Sequence, residues 1–317
     1  MMRHQPSYGP LALLAGMVLI WGTGYWPTEV AAEHTTNVVL SGLRIMGGAV
    51  LIVAVALVAR ARWPTGRVLL WGIGTGLVMV GISHWGTTEA VARAGPGNAA
   101  VIVNSAPLII VALGWLFLRE RLSGIGLVGI VVGFGGVILM VSSQLGGSTD
   151  TTDFLLGVAL AAAGAIAWAA GTLVLRVFAT RRGDEIDMLS FTAVQFVAAG
   201  IVVLAAGFAV DGIGTTNWSS GELWAALFWI GPISGLGFIF FFAALGKISA
   251  ARASAAMFLV PAVAVIVEIA RGNIPTGLVV LGIVLAVLGV ALVNAPRDEL
   301  ATLGPRLWRY VRTKAPS

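Results

Sequence analysis

Ten apolar runs, each close to the length that crosses a bilayer, alternate along the chain with short polar breaks: residues 10–29, 37–59, 68–92, 98–117, 124–142, 154–177, 187–210, 222–246, 252–270 and 276–295. A helix rises about 1.5 Å per residue, so about 20 residues cover the roughly 30 Å hydrocarbon layer. Lipid offers no hydrogen bonds to the backbone, so such runs are expected as helices that satisfy themselves. The shortest breaks, Ala94-Gly95-Pro96-Gly97 and Lys247-Ile248-Ser249, predict tight helical hairpins. The polar start Met1–Tyr8 is short, the run from Leu11 is long, and no small-x-small site follows. A cleavable signal peptide is therefore not expected.

Composition agrees with the pattern. Hydrophobic residues make up 58% of the chain and charged residues 10%, against about 25% charged in soluble domains. The 42 glycines suit helices that approach one another closely. The chain has no cysteine, which excludes a disulfide framework, a thiolate metal site and a cysteine nucleophile.

Net charge is +5 and the pI is near 10.4, but the distribution of the charge points to topology rather than to nucleic acid. With both termini inside, 16 of the 19 Lys and Arg fall in inner segments, Arg93 and Arg271 in outer loops, and Arg44 within a span. That asymmetry follows the positive-inside rule and predicts an inner-membrane, multi-pass protein with cytoplasmic ends.

The halves repeat. Trp21 and Trp168 lie 147 residues apart, each followed three positions later by Gly24 or Gly171. Pro107 and Pro261 lie 154 apart, and Gly129, Gly133 and Gly136 fall on Gly282, Ala286 and Gly289. Two five-helix units are expected, 10–142 and 154–295, with a basic cytoplasmic tail at 296–317. Five spans per unit is odd, so the second must enter from the opposite side, an architecture that recurs in secondary transporters. The predicted fold class is thus all-α integral membrane, ten transmembrane helices as two inverted five-helix repeats.

Several motifs recur in a recognisable order. Ile20-Trp21-Gly22-Thr23 opens the first span and Leu43-Arg44 sits in the second. Pro107 in the fourth is followed by Leu118-Arg119-Glu120-Arg121-Leu122 and a Gly-rich fifth span. From about Leu11 to Val293 the chain resembles the drug/metabolite transporter superfamily, in particular its EamA-type two-repeat members, which include the YddG-like aromatic amino-acid exporters. The resemblance implies a carrier, most simply an exporter, of small metabolites such as amino acids, with a central cavity lined by both halves. In the second half Ile274, followed by Pro275, stands where the family's pattern would repeat Glu120, so no capping role passes to Glu268.

Ionisable groups inside spans are costly and usually face protein or water. Glu29, Arg44, Glu89 and Glu268 all fall in the outer halves of their spans. They are expected either to ring an outward vestibule or to form a structural ion pair with Arg44 while the rest reach the interface. His84 lies deeper; it suits proton coupling or a plain interhelical hydrogen bond. Trp63, Trp71, Trp115, Trp218, Trp224 and Trp308 sit near span ends, as anchoring indoles do. Trp21, Trp85 and Trp168 do not, and with Phe238 they are candidates for an aromatic substrate wall. Thr23, Asn104 and Gln195 are candidate hydrogen-bonding partners of a solute, or bonds between helices. Pro107 and Pro261 are candidate hinges or static kinks.

Two other readings stay open. Gly231-Pro232-Ile233-Ser234-Gly235 with His84 would be the only basis for an intramembrane enzyme, and no HExxH or nucleotide-binding loop supports one. A channel is the other. No metal or cofactor is expected, the partners are a small solute and the bilayer, and monomer and homodimer are both compatible with the sequence.

Overall fold

The computed structural model describes residues 8–118, 124–143, 150–182, 187–245 and 256–293. Arg119–Leu122 of the motif above, the Lys247-Ile248-Ser249 break, Trp308 and the tail at 296–317 lie outside them. Among the described residues all regular structure is helical. Eight helices are long and apolar enough to cross a membrane: α1 (Gly9–Ala32), α2 (Asn37–Val58), α3 (Gly66–Ala94), α4 (Pro96–Phe117), α5 (Gly124–Ser142), α6 (Thr151–Val174), α7 (Met188–Val210) and α8 (Gly221–Phe241). Two shorter apolar helices follow, α9 (Val260–Ala270) and α10 (Gly277–Gly289). Ten apolar runs were expected; among the described residues eight meet the length of a full crossing, and the described parts of α9 and α10 are shorter.

The 94–97 break is the tight hairpin its length predicts. The backbone at Gly95 has φ +83°, a conformation that side chains with a Cβ rarely adopt, and Pro96 then opens α4 where its missing N–H costs nothing.

The helices pair across the halves. Close contacts join α2 to α7, α5 to α10, α4 to α9, α3 to α6 and α1 to α8. Exchanging the first five helices for the last five leaves this set unchanged, the last two pairs swapping places. Small residues set the spacing: a Cβ on Gly42 would lie 2.5 Å from the Leu204 Cα, and one on Gly136 would lie 2.5 Å from the Ala286 backbone nitrogen. Side chains longer than a hydrogen atom cannot enter either seam without parting the helices.

Within the spans, irregular turns fall one turn before a proline. Proline has no N–H to give to the carbonyl four residues back. Accordingly α1 breaks between Tyr8–Thr23 and Tyr25–Ala32 ahead of Pro27, and α4 breaks between Pro96–Val103 and Ala106–Leu118 ahead of Pro107. In α8 the segment Trp229–Ile233, which contains Pro232, widens to a π-turn. A 3₁₀ turn, Met257–Leu259, leads into α9 ahead of Pro261. The π-segment Gly76–Ile82 of α3 has no proline; there Gly76 packs against the backbone of Gln195.

Candidate functional site

These broken turns converge on one cavity. It holds about 780 Å³ of atom-free space, open solvent at its mouth included. The α1 break supplies Gly24 and Tyr25, the α4 break Val103 and Asn104, the α8 turn Ile230 and Ser234, and the α9 turn Met257.

One wall is aromatic. Phe238 is its hub, with ring centroids 4.7 Å from Trp21, 6.0 Å from Trp168 and 4.8 Å from Phe196. Trp21 is held by donating its indole N–H to the Ser234 carbonyl at 3.2 Å. His84 stands edge-on to Phe196 at 5.7 Å. Its Nδ1 lies 2.9 Å from the Val80 carbonyl, which only accepts, so Nδ1 carries the hydrogen and Nε2 is the free ring nitrogen.

The opposite character comes from Arg44. Its Nη1 makes one long contact, 3.5 Å to the Thr88 hydroxyl, and its buried Nε has no hydrogen-bond partner. Among the described residues no carboxylate comes within ion-pairing distance of it. A buried donor left unpaired costs about 1–3 kcal/mol, more when charged, and no described residue offsets that cost at the Arg44 Nε. Beside it the Asn104 amide donates to the Tyr25 hydroxyl at 2.9 Å and to the Ala100 carbonyl at 2.7 Å, which leaves the Tyr25 O–H proton available to a bound group.

The carboxylates named with Arg44 are engaged elsewhere. Glu89 is buried and accepts from Trp85 and Asn37, both at 3.1 Å, and from Arg93 at 2.8 Å; Arg93 also reaches Asp153 of α6. Arg271 pairs with Glu29 at 2.6 Å and Glu268 at 2.7 Å, and lies 5.6 Å over the Trp26 ring. Partial burial opposes the charge on Arg271, but its contacts with Glu268 and Glu29 outweigh that and hold its pKa above the ordinary arginine value. Arg93 and Arg271 thus take up the acids, and neither Glu89 nor Glu268 lines the cavity.

Of the sequence candidates, the structure gathers Trp21, Arg44, His84, Asn104, Pro107, Trp168 and Phe238 around the cavity. Three others point away. Thr23 returns its hydroxyl to the Leu19 carbonyl, Trp85 serves Glu89, and Gln195 donates to Thr75 at 3.0 Å in the α3–α7 contact. Pro261 lines a smaller neighbouring pocket that shares Asn104 with the main one. Tyr25, Thr28, Ser83 and Thr87 line the cavity without having been singled out. Only the proline two residues past Tyr25 hinted that α1 opens there.

A bundle of apolar helices around a mixed aromatic and cationic cavity is the build of a polytopic membrane transporter. The chain belongs to the EamA-like transporter family, which matches it twice, over residues 9–142 and 155–295. It is similar to the uncharacterized transporter YvbV of Bacillus subtilis strain 168, with 25% identity over 92% of this chain and 94% of that one. It is also similar to a probable terminal-alkyne amino-acid exporter of Streptantibioticus cattleyicolor, with 26% identity over 70% and 72% of the two chains. A solved crystal structure shares the fold, with a TM-score of 0.62 at 20% identity over 89% of this chain and 95% of that one.

Proposed function

We propose that this transporter is a secondary carrier of small carboxylate-bearing metabolites, amino acids and their derivatives among them, and that it works as an exporter. The observation that carries the reading is the unpaired Arg44 guanidinium in a cavity otherwise walled by Trp21, Trp168 and Phe238. Arg44 matches a carboxylate, and the aromatic wall matches an apolar or aromatic body. The similarity to a probable amino-acid exporter supports the same class.

The mechanism that fits is alternating access, with units 10–142 and 154–295 as inverted halves rocking about the cavity. The basic-residue asymmetry supports an inner-membrane location with both termini in the cytoplasm. His84, with its free Nε2, is the candidate proton carrier at the cavity, and Pro107 and Pro261 are the candidate hinges. Flux of a radiolabelled amino-acid and carboxylate panel into proteoliposomes, with and without a pH gradient, tests the reading. Saturable, stereoselective flux is the expected result. Flux proportional to concentration without saturation would make the protein a channel instead.

A further inference from the structure

Charge accounting around the cavity says more about the solute than that it bears a carboxylate. None of the described residues lining the cavity is acidic. The three carboxylates nearest in the sequence pattern, Glu29, Glu89 and Glu268, are committed to Arg271 and Arg93 at the outer end. Among the described residues the cavity therefore carries one uncompensated cation, Arg44, and nothing of opposite sign.

The neutral groups sharpen this. Thr28 gives its proton to the Gly24 carbonyl at 2.8 Å and Thr87 gives its own to the Ser83 carbonyl at 2.7 Å. Both residues line the cavity, and with those protons engaged their hydroxyl oxygens are left as acceptors only. They suit a neutral N–H or O–H, which brings no charge to be balanced. An ammonium one carbon away from a carboxylate held by Arg44 would sit in the field of that guanidinium, stripped of water and without a counter-ion. In a low-dielectric cavity such repulsion is felt strongly.

Resting on the carrier reading above, we infer that the preferred solute is a net monoanion: an aromatic or apolar carboxylate whose amino group is absent, acylated or replaced by hydroxyl, rather than a free zwitterion. The carboxylate binds Arg44 and the Tyr25 hydroxyl, the ring packs on Phe238 between Trp21 and Trp168, and an amide N–H or hydroxyl meets Thr28 or Thr87.

The test is calorimetric binding to the purified full-length protein with four probes of matched shape: N-acetylphenylalanine, 3-phenylpropionate, phenylalanine and phenethylamine. The two anions are expected to bind at least tenfold more tightly than phenylalanine, and phenethylamine most weakly. Phenylalanine binding as tightly as the anions, or more so, overturns the inference and leaves the carrier of carboxylates standing, the aromatic faces then serving the ammonium by cation–π attraction. Phenethylamine binding best, or no carboxylate binding at all, overturns both. An Arg44→Gln variant is expected to lose the preference for anions and Arg44→Lys to keep it, so a variant that misfolds in one case leaves the other to read.

Discussion

At the scale of single residues, the cavity is defined by side chains whose partners are missing or unusual. Arg44 has one long hydrogen bond where a buried guanidinium ordinarily makes several, and Phe238 touches an indole from each half of the chain. A Phe238→Leu substitution keeps most of the apolar volume and removes the ring contacts, worth about 0.5–1.5 kcal/mol beyond burial. It is expected to weaken binding of an aromatic carboxylate about tenfold while shifting the melting temperature little, measured by calorimetry and differential scanning fluorimetry. Tyr25→Phe removes one hydrogen bond to the bound group, about 1 kcal/mol, and should raise Kd about fivefold with the fold intact. Much of this constellation was legible beforehand, because a charge or a mid-span indole is conspicuous in an apolar run. The threonines were not. A hydroxyl within a helix bonds its own backbone wherever it lies, as Thr28, Thr75 and Thr87 all do, so spacing cannot say which one also faces a cavity. Nor could it say that Trp85 and Glu89 would satisfy each other.

At the scale of helices, the prolines do in the structure what their chemistry requires, and two that were not read as hinges in the sequence prove as consequential as the two that were. Pro27 and Pro232 break α1 and α8 at the cavity just as Pro107 breaks α4, while Pro261 stands in the first turn of α9 after a 3₁₀ turn. In the break Pro107 stands in the first turn of Ala106–Leu118, where its missing N–H is tolerated, whereas in an unbroken helix it would cost about 3 kcal/mol relative to alanine. Pro107→Ala should therefore let α4 straighten with little change in melting temperature and lower turnover severalfold, read by fluorimetry and proteoliposome flux. Unchanged turnover in a folded variant would make the kink a packing feature. Hydropathy registers a broken helix as one continuous run, which is why the first and eighth spans were expected without a break. The π-segment of α3 had no sequence mark at all, since it arises where Gly76 meets the Gln195 backbone, a contact 119 residues distant in the chain.

At the scale of the whole molecule, the proposed topology makes opposite loops distinguishable, and the absence of native cysteine makes the experiment clean. Thr65 lies in the α2–α3 loop and Ile274, 80% exposed, in the α9–α10 loop. In intact cells a membrane-impermeant maleimide should label Ile274→Cys and spare Thr65→Cys until the membrane is opened; the reverse result would invert the orientation. Hydropathy and charge made the class and the order of the helices readable. They could not show that α5 and α10 meet backbone to backbone, for a hydropathy sum does not say which face of the helix Gly136 or its neighbour Ile138 occupies. Yet one faces a seam with room for a hydrogen atom, and the other, 67% exposed, faces the lipid. The two faces should tolerate change very differently: Leu, Ile, Val or Phe should be interchangeable at Ile138, Val131 or Leu288, while Gly136, Gly282 and Gly289, where a Cβ would meet backbone, should admit almost nothing else. A chain built this way can drift over most of its lipid-facing surface and keep its shape, which is how one-quarter identity suffices to hold a common architecture across nine-tenths of its length.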